Sequence, residues 1–69
     1  MPHLGLDNLF TYHAPKGDQS KRYELLRAKG KELAVCINRL CPDCADKTAA
    51  IRKVREAVMT ANAAIACNE

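Results

Sequence analysis

The sequence predicts an all-α fold, an antiparallel two-helix hairpin with an irregular N-terminal arm, assembled as a homo-oligomer. Three observations carry this expectation. Two stretches of about 20 residues repeat apolar side chains at alternating spacings of three and four, the period of one helix face. The connection between them, Cys41-Pro42-Asp43, is too short for anything but antiparallel neighbours. Finally, 69 residues with 48% hydrophobic content and three aromatics make a small core. A lone domain below about 70–80 residues is marginal, so copies of the chain are expected to cover what one hairpin leaves open. The whole of 1–69 reads as one domain, with the arm over 1–19, the first helix over 20–41 and the second over 43–67.

The arm holds apolar Leu4, Leu6, Leu9 and Phe10, but Gly5, Pro15 and Gly17 interrupt any long helix. It also carries both histidines, His3 and His13, and two of the three aromatics, Phe10 and Tyr12. Irregular segments of this length are functional or disordered, and this one is expected to be an ordered arm packed on another part of the assembly. Two roles fit the rings. They can staple the arm to the hairpin, or Tyr12, beside His13 and Pro15, can stack on a base, a contact of about 1–3 kcal/mol.

In the first helix, Tyr23, Leu26, Gly30, Leu33, Ile37 and Leu40 form the stripe, and Asp18 or Ser20 can cap its start. Gly30 costs about 1 kcal/mol of helix propensity relative to Ala. Its presence within the stripe points to a close approach by a neighbouring element. Pro42 ends the helix by excluding αR geometry at the residue before it. Asp43 is expected to cap the second helix, and Asp46 to complement its dipole. There Ile51, Val54, Val58, Ala61 and Ile65 repeat the stripe, while Ala50, Ala57, Ala61 and Ala64 make a second, small-residue face. Two helices cannot cover both surfaces. Asn62, beside the stripe, sets oligomer register, caps a neighbour or reads a ligand edge, register being the commonest use of a buried amide in a helical interface.

The net charge of +3 is concentrated. Lys21, Arg22, Arg27, Lys29, Lys31 and Arg39 face only Glu24 and Glu32 over 19–40, whereas the arm is slightly acidic and 41–69 is balanced. Such an excess marks either an anionic partner or a solvated helix face. Arg27 and Lys31 flank one side of the stripe, Arg22 and Lys29 the other. They can hold phosphates or cover the stripe with their aliphatic stems.

Several classes are expected to be excluded. No apolar run approaches the roughly 18 residues of a membrane span, and Met1-Pro2-His3 does not open a secretory signal. His13 has no nucleophile or carboxylate at an interpretable spacing, so no enzyme is expected. Cys41-Pro42-Asp43-Cys44 is a single C-x-x-C without a second close pair. Cys36 and Cys67 suit small core positions, and structural thiols in a reducing cytoplasm are favoured over zinc or redox chemistry, with no cofactor or metal. A small helical protein- or nucleic-acid-binding module is the alternative from another class, although no recognition-helix pattern supports DNA binding.

The order of motifs adds a resemblance. Phe10-Thr11-Tyr12-His13-x-Pro15, Tyr23-x-x-Leu26-Arg27, Glu32-Leu33-Ala34, Cys41-Pro42-Asp43 and Glu56-Ala57-Val58-Met59-x-Ala61-Asn62-Ala63-Ala64-Ile65-Ala66 resemble the small phage anti-CBASS sponges. Their helical-hairpin domain also occurs in some anti-Thoeris sponges. The resemblance runs from about Phe10 to the C-terminus, and its most specific parts are the Ala-Asn-Ala-Ala-Ile-Ala run and the Tyr-His-x-Pro arm. It implies a hexamer of hairpins that sequesters cyclic oligonucleotide messengers in the cytoplasm of the infected bacterial host, without cleaving them. Cyclic dinucleotides such as 3′,3′-cGAMP would sit between protomers, with Tyr12 stacking on the bases and Arg27 meeting the phosphates. His13, Pro15 and Lys31 would be neighbours in that pocket. Of the three aromatics, Tyr23 fits the helix stripe and Tyr12 is left for the ligand, so Phe10 is expected to anchor the arm. Some members also hold cyclic trinucleotides at a separate three-fold site, which here would fall on Lys29, Cys67 and Asn68. The sequence departs from the pattern at two positions. Cys67 stands where the family has a basic residue, and Thr60 where it has a large aromatic.

Overall fold

The computed structural model describes residues 5–69. His3 and Leu4 of the arm lie outside the described residues. Three helices follow in order: α1 (Leu6–Leu9), α2 (Gln19–Leu40) and α3 (Ala45–Asn68). The arm is therefore not irregular throughout. Gly5 enters α1 in an extended conformation, and Leu9 and Phe10 donate to the carbonyls of Gly5 and Leu6 to close one turn. Gly17, at φ +55°, then turns the chain into α2, a left-handed conformation that a side chain would strain.

Helix α2 begins at Gln19, one residue before the expected start, and ends at Leu40 rather than 41. Cys41 is extended because Pro42 follows it, and its N–H still closes the last turn on Ile37. Asp18 occupies the N-cap position but makes no capping hydrogen bond; its carboxylate lies 3.3 Å from Arg22 Nε instead. Helix α3 starts at Ala45 and runs through Asn68, so the expected 43–67 is displaced. The residue before it, Cys44, is the extended N-cap, and Asp43 accepts from Lys47 Nζ at 2.7 Å rather than capping. A chain leaving an X-Pro step needs the additional residues to reverse direction before helical geometry resumes. Asp46 lies in the first turn, where its charge complements the helix dipole.

The long helices are antiparallel. Arg22 at the start of α2 meets Glu69 beyond the end of α3, and Gly30 in mid-helix faces Val58. Gly30 is where the helices approach: a Cβ there would lie far inside van der Waals contact with Val58 Cγ2. The side of α2 turned towards α3 is half-buried at Tyr23, Leu26, Gly30, Ala34 and Ile37. Leu33 and Leu40 of the expected stripe are instead 51% and 77% exposed. A straight helix of 3.6 residues per turn drifts away from a strict heptad, so Ala34 replaces Leu33 after Gly30. On α3 the expected stripe of Ile51, Val54, Val58, Ala61 and Ile65 is half-buried along its length.

No hydrophobic side chain among the described residues is buried; the one buried residue is polar, Gln19. Leu25, Val35, Met59 and Phe10 are open to solvent. Cys36, expected among the small core positions, is exposed on the outer face of α2, because a hairpin buries one side of each helix only. No helix among the described residues is long and apolar enough to cross a membrane.

Candidate functional site

The arm returns across the end of α3 and is tied there by polar groups. Asn8 Nδ2 donates to the Cys67 carbonyl at 3.0 Å, and Lys16 Nζ donates to the Glu69 main-chain oxygen at 2.9 Å. Between these ties, His13 Nε2 lies 2.8 Å from the Asn8 carbonyl, and the Thr11 hydroxyl donates to the Asp7 carbonyl. His13 is half-buried by this folding, while Pro15 stays exposed. Tyr12 projects from the same loop with its ring free: it is 83% exposed. Phe10 is equally exposed, which corrects the expectation that this ring anchors the arm. Hydrogen bonds from the arm's polar residues hold it instead.

Glu69 organises the base of α2. Arg22 grips its carboxylate with both Nη atoms, at 2.8 and 2.5 Å, and Gln19 Nε2 donates to Oε1 at 3.2 Å. The Gln19 oxygen accepts from the Lys16 N–H at 2.9 Å, which joins the arm to the same knot. The hydrogen bonds from Arg22 and Gln19, with the positive charges of Arg22 and Lys16, hold Glu69 down at about 2 from its ordinary 4.5, against a smaller opposing effect of desolvation. The Glu69 hydrogen bond raises the Arg22 guanidinium further above its already high value. A depressed carboxylate stabilises the folded state above its unfolded pKa and loses that contribution as it is protonated. The knot is thus intact above about 4.5 and released as pH falls towards about 2, with Lys16, Asp18 and Arg22 as the charged groups around it. Sequence reasoning placed Arg22 on the flank and missed Asn8, Gln19 and Glu69. The contacts join residues 47 to 59 positions apart, which no local periodicity encodes.

Arg27 lies farther along α2. From Arg22, at the knot, it is five residues on, about 7–8 Å of helix rise. It lines an open groove between the helices with Val54, Arg55, Val58, Met59 and Asn62. The groove measures about 390 Å³, and Tyr12 and His13 do not contribute to it. One chain therefore holds the aromatic loop at the end of α3 and the basic groove along the middle of the hairpin, and does not close them on one another. Asn62 leaves its Oδ1 buried without a hydrogen-bond partner, an acceptor available to a donor from outside the chain. Lys31 lies on the outer face of α2 with Ala28, Val35 and Cys36.

The residues of the expected second site are apart. Lys29 pairs with Glu32 at 3.3 Å and lines the opposite edge of the hairpin with Leu33, Lys53 and Ala57. Cys67 and Asn68 lie at the end of α3, nine or more residues beyond Val58, about 13 Å along the axis. The Cys67 carbonyl is engaged by Asn8, and Asn68 Nδ2 donates to Ala64. Among the described residues, no group of three or more His, Cys, Asp or Glu is placed to hold a metal ion, and Cys36, Cys41, Cys44 and Cys67 are free thiols.

A two-helix unit without a buried hydrophobic side chain among its described residues, with cationic grooves and an arm presenting two solvated aromatic rings, Phe10 and Tyr12, is a small helical-hairpin binding protein. The family profile that matches is the Acb2/Tad1 hairpin domain, over residues 2–66. The chain belongs to this family of phage anti-defence sponges, which bind cyclic nucleotides and are binding proteins rather than enzymes. Comparison with curated proteins and with solved structures gave no significant match.

Proposed function

We propose that this chain sequesters cyclic oligonucleotide messengers, cyclic dinucleotides such as 3′,3′-cGAMP foremost, in the cytoplasm of the infected host, and so keeps CBASS effectors silent. Tyr12 stacks on the bases, Arg27 meets the phosphates, and His13, Pro15 and Lys31 complete the pocket between protomers. The observation that carries this reading is the Tyr12 ring: large, aromatic and solvated, on a loop tied down on both sides. An aromatic ring left in water on an anchored loop is suited to a planar partner.

Assembly of several copies follows from the exposure of the hairpin, and the hexamer from the family resemblance. A hairpin with no buried hydrophobic side chain among its described residues gains its core from neighbouring copies, and Asn62 Oδ1 gains a donor there. Its thermal midpoint is expected to fall on dilution, as association coupled to folding requires. A midpoint constant over a hundredfold dilution would count against assembly. Cyclic trinucleotide binding at Lys29, Cys67 and Asn68 requires these residues from different protomers, since one hairpin keeps them apart.

Titration with 3′,3′-cGAMP tests the function. The reading expects calorimetric heat at micromolar concentrations, a raised melting temperature, and intact cyclic dinucleotide recovered after the protein is denatured. No heat and no thermal shift would sink it, and recovery of linear product would make the protein an enzyme. Salt-sensitive retardation of duplex DNA would favour the nucleic-acid-binding alternative.

A further inference from the structure

We infer that Glu69 is a positioning residue for ligand binding: its knot with Arg22, Gln19 and Lys16 fastens the loop that presents Tyr12. The inference depends on the proposed ligand site for its consequence, but its geometry stands independently of any ligand.

Tyr12 lies four residues from Asn8 and four from Lys16, the two points at which the loop is tied to the end of α3. Among the described residues apolar contact does little in place of these ties, because Phe10 and Tyr12 are both exposed and α1 holds no buried residue. The side-chain ties from the loop to the end of α3 are hydrogen bonds. The Lys16 tie ends on Glu69 itself, and the same residue's carboxylate takes three further bonds, two from Arg22 and one from Gln19. Gln19, 4% exposed, is the most enclosed side chain described, and it bonds Lys16 through its oxygen and Glu69 through its nitrogen.

These groups stand or fall together. Without the Glu69 carboxylate, the Gln19 amide loses its acceptor inside the protein, where an unmet donor is costly. Arg22 keeps only Asp18, whose carboxylate is 72% exposed and 3.3 Å from Nε. Lys16 keeps its bond to the Glu69 main-chain oxygen, but the carboxylate charge beside it is gone and Gln19, which accepts from the Lys16 N–H, has lost the partner that fixes its amide, so that end of the Tyr12 loop is loosened. A loose ring must be ordered when ligand binds, and that entropy is subtracted from affinity. The expected loss is about three- to tenfold, the range for immobilising one rotamer-rich side chain.

The test uses the full chain, with Glu69→Ala, Glu69→Gln and the conservative Glu69→Asp. Amide hydrogen exchange is followed at Leu9 and Phe10, whose N–H groups close the α1 turn, and at amides within α2 and α3. Affinity for 3′,3′-cGAMP is measured alongside. Glu69→Ala is expected to quicken exchange at Leu9 and Phe10, to leave mid-helix exchange unchanged, and to weaken binding about three- to tenfold. Glu69→Gln, which keeps the shape but not the charge, gives a smaller change, and Glu69→Asp, which keeps the charge, retains much of the arm protection and affinity. Wild-type exchange at Leu9 and Phe10 in Glu69→Ala overturns the inference, as does equal quickening along α2 and α3, which would make Glu69 a residue of general stability. Weaker binding with an unchanged arm also overturns it, because Glu69 would then act on the ligand directly. If the wild-type protein binds no cyclic dinucleotide, the proposed function fails, and the exchange measurements alone still decide whether Glu69 fastens the arm.

Discussion

Tyr12→Ala is expected to weaken cyclic dinucleotide binding by about 1–3 kcal/mol, from roughly fivefold to more than a hundredfold, with no loss of assembly. The ring is 83% exposed, so its removal opens no cavity and the melting temperature of the ligand-free protein should not move. Arg27→Ala is expected to cost a similar amount, since a guanidinium on phosphate makes charge-assisted bonds of about 1.5–3 kcal/mol. Its effect should be separable from charge in general: Arg27→Lys keeps the cation and loses the planar fork, and should recover part of the affinity. Calorimetry gives the affinities, and a sizing column run on each variant shows whether the assembly survives. Wild-type affinity in Tyr12→Ala would remove the ring from the site. Dissociation of either variant would assign that residue to the interface rather than to the ligand.

The largest stability effect is expected at Gly30. Replacing Gly by Ala inside a helix ordinarily favours the helix by about 1 kcal/mol. Here the new methyl would meet Val58 Cγ2 deep inside contact distance, and Val58 is β-branched, with little freedom to turn aside. Overpacking of this kind costs about 1–3 kcal/mol, enough to cancel the propensity gain and reverse its sign. Gly30→Val, with two further methyl groups at the same crossing, should prevent the hairpin from closing. Thermal denaturation followed by circular dichroism reads both, and Val58→Ala combined with Gly30→Ala should recover much of the loss. A melting temperature raised by Gly30→Ala alone would show that the helices do not approach at this point.

Some features were legible in the sequence because they are local. Pro42 imposes an extended Cys41, Gly17 keeps the arm from running into α2 as one helix, and the spacing of Ile51, Val54, Val58, Ala61 and Ile65 marks the inward face of α3. Gly30, read as a point of close approach, is the residue that Val58 crowds. The errors were also physical. Leu33 and Leu40 fit a heptad but lie outside it once a straight helix drifts, and Asp43 loses the cap because the turn after Pro42 is longer than the sequence suggests. Phe10 was read as an anchor by elimination among the three aromatics, yet it is solvated, because the arm is secured by Asn8, Lys16 and Gln19.

The candidate site divides in the same way. Tyr12, His13 and Pro15 were recognisable as a short motif, and Arg27 and Lys31 as a basic flank. The sequence also determined the family and the helical class, since periodicity, turn chemistry and motif order are properties of the chain itself. Only the tertiary structure decided which half of the hairpin the arm lies against, that Arg27 and Lys29 occupy opposite grooves, and that Glu69 reaches Arg22 across 47 positions. Those outcomes depend on how two helices cross and where the chain returns. Hydrogen bonds between distant polar side chains record that geometry, and residue spacing does not.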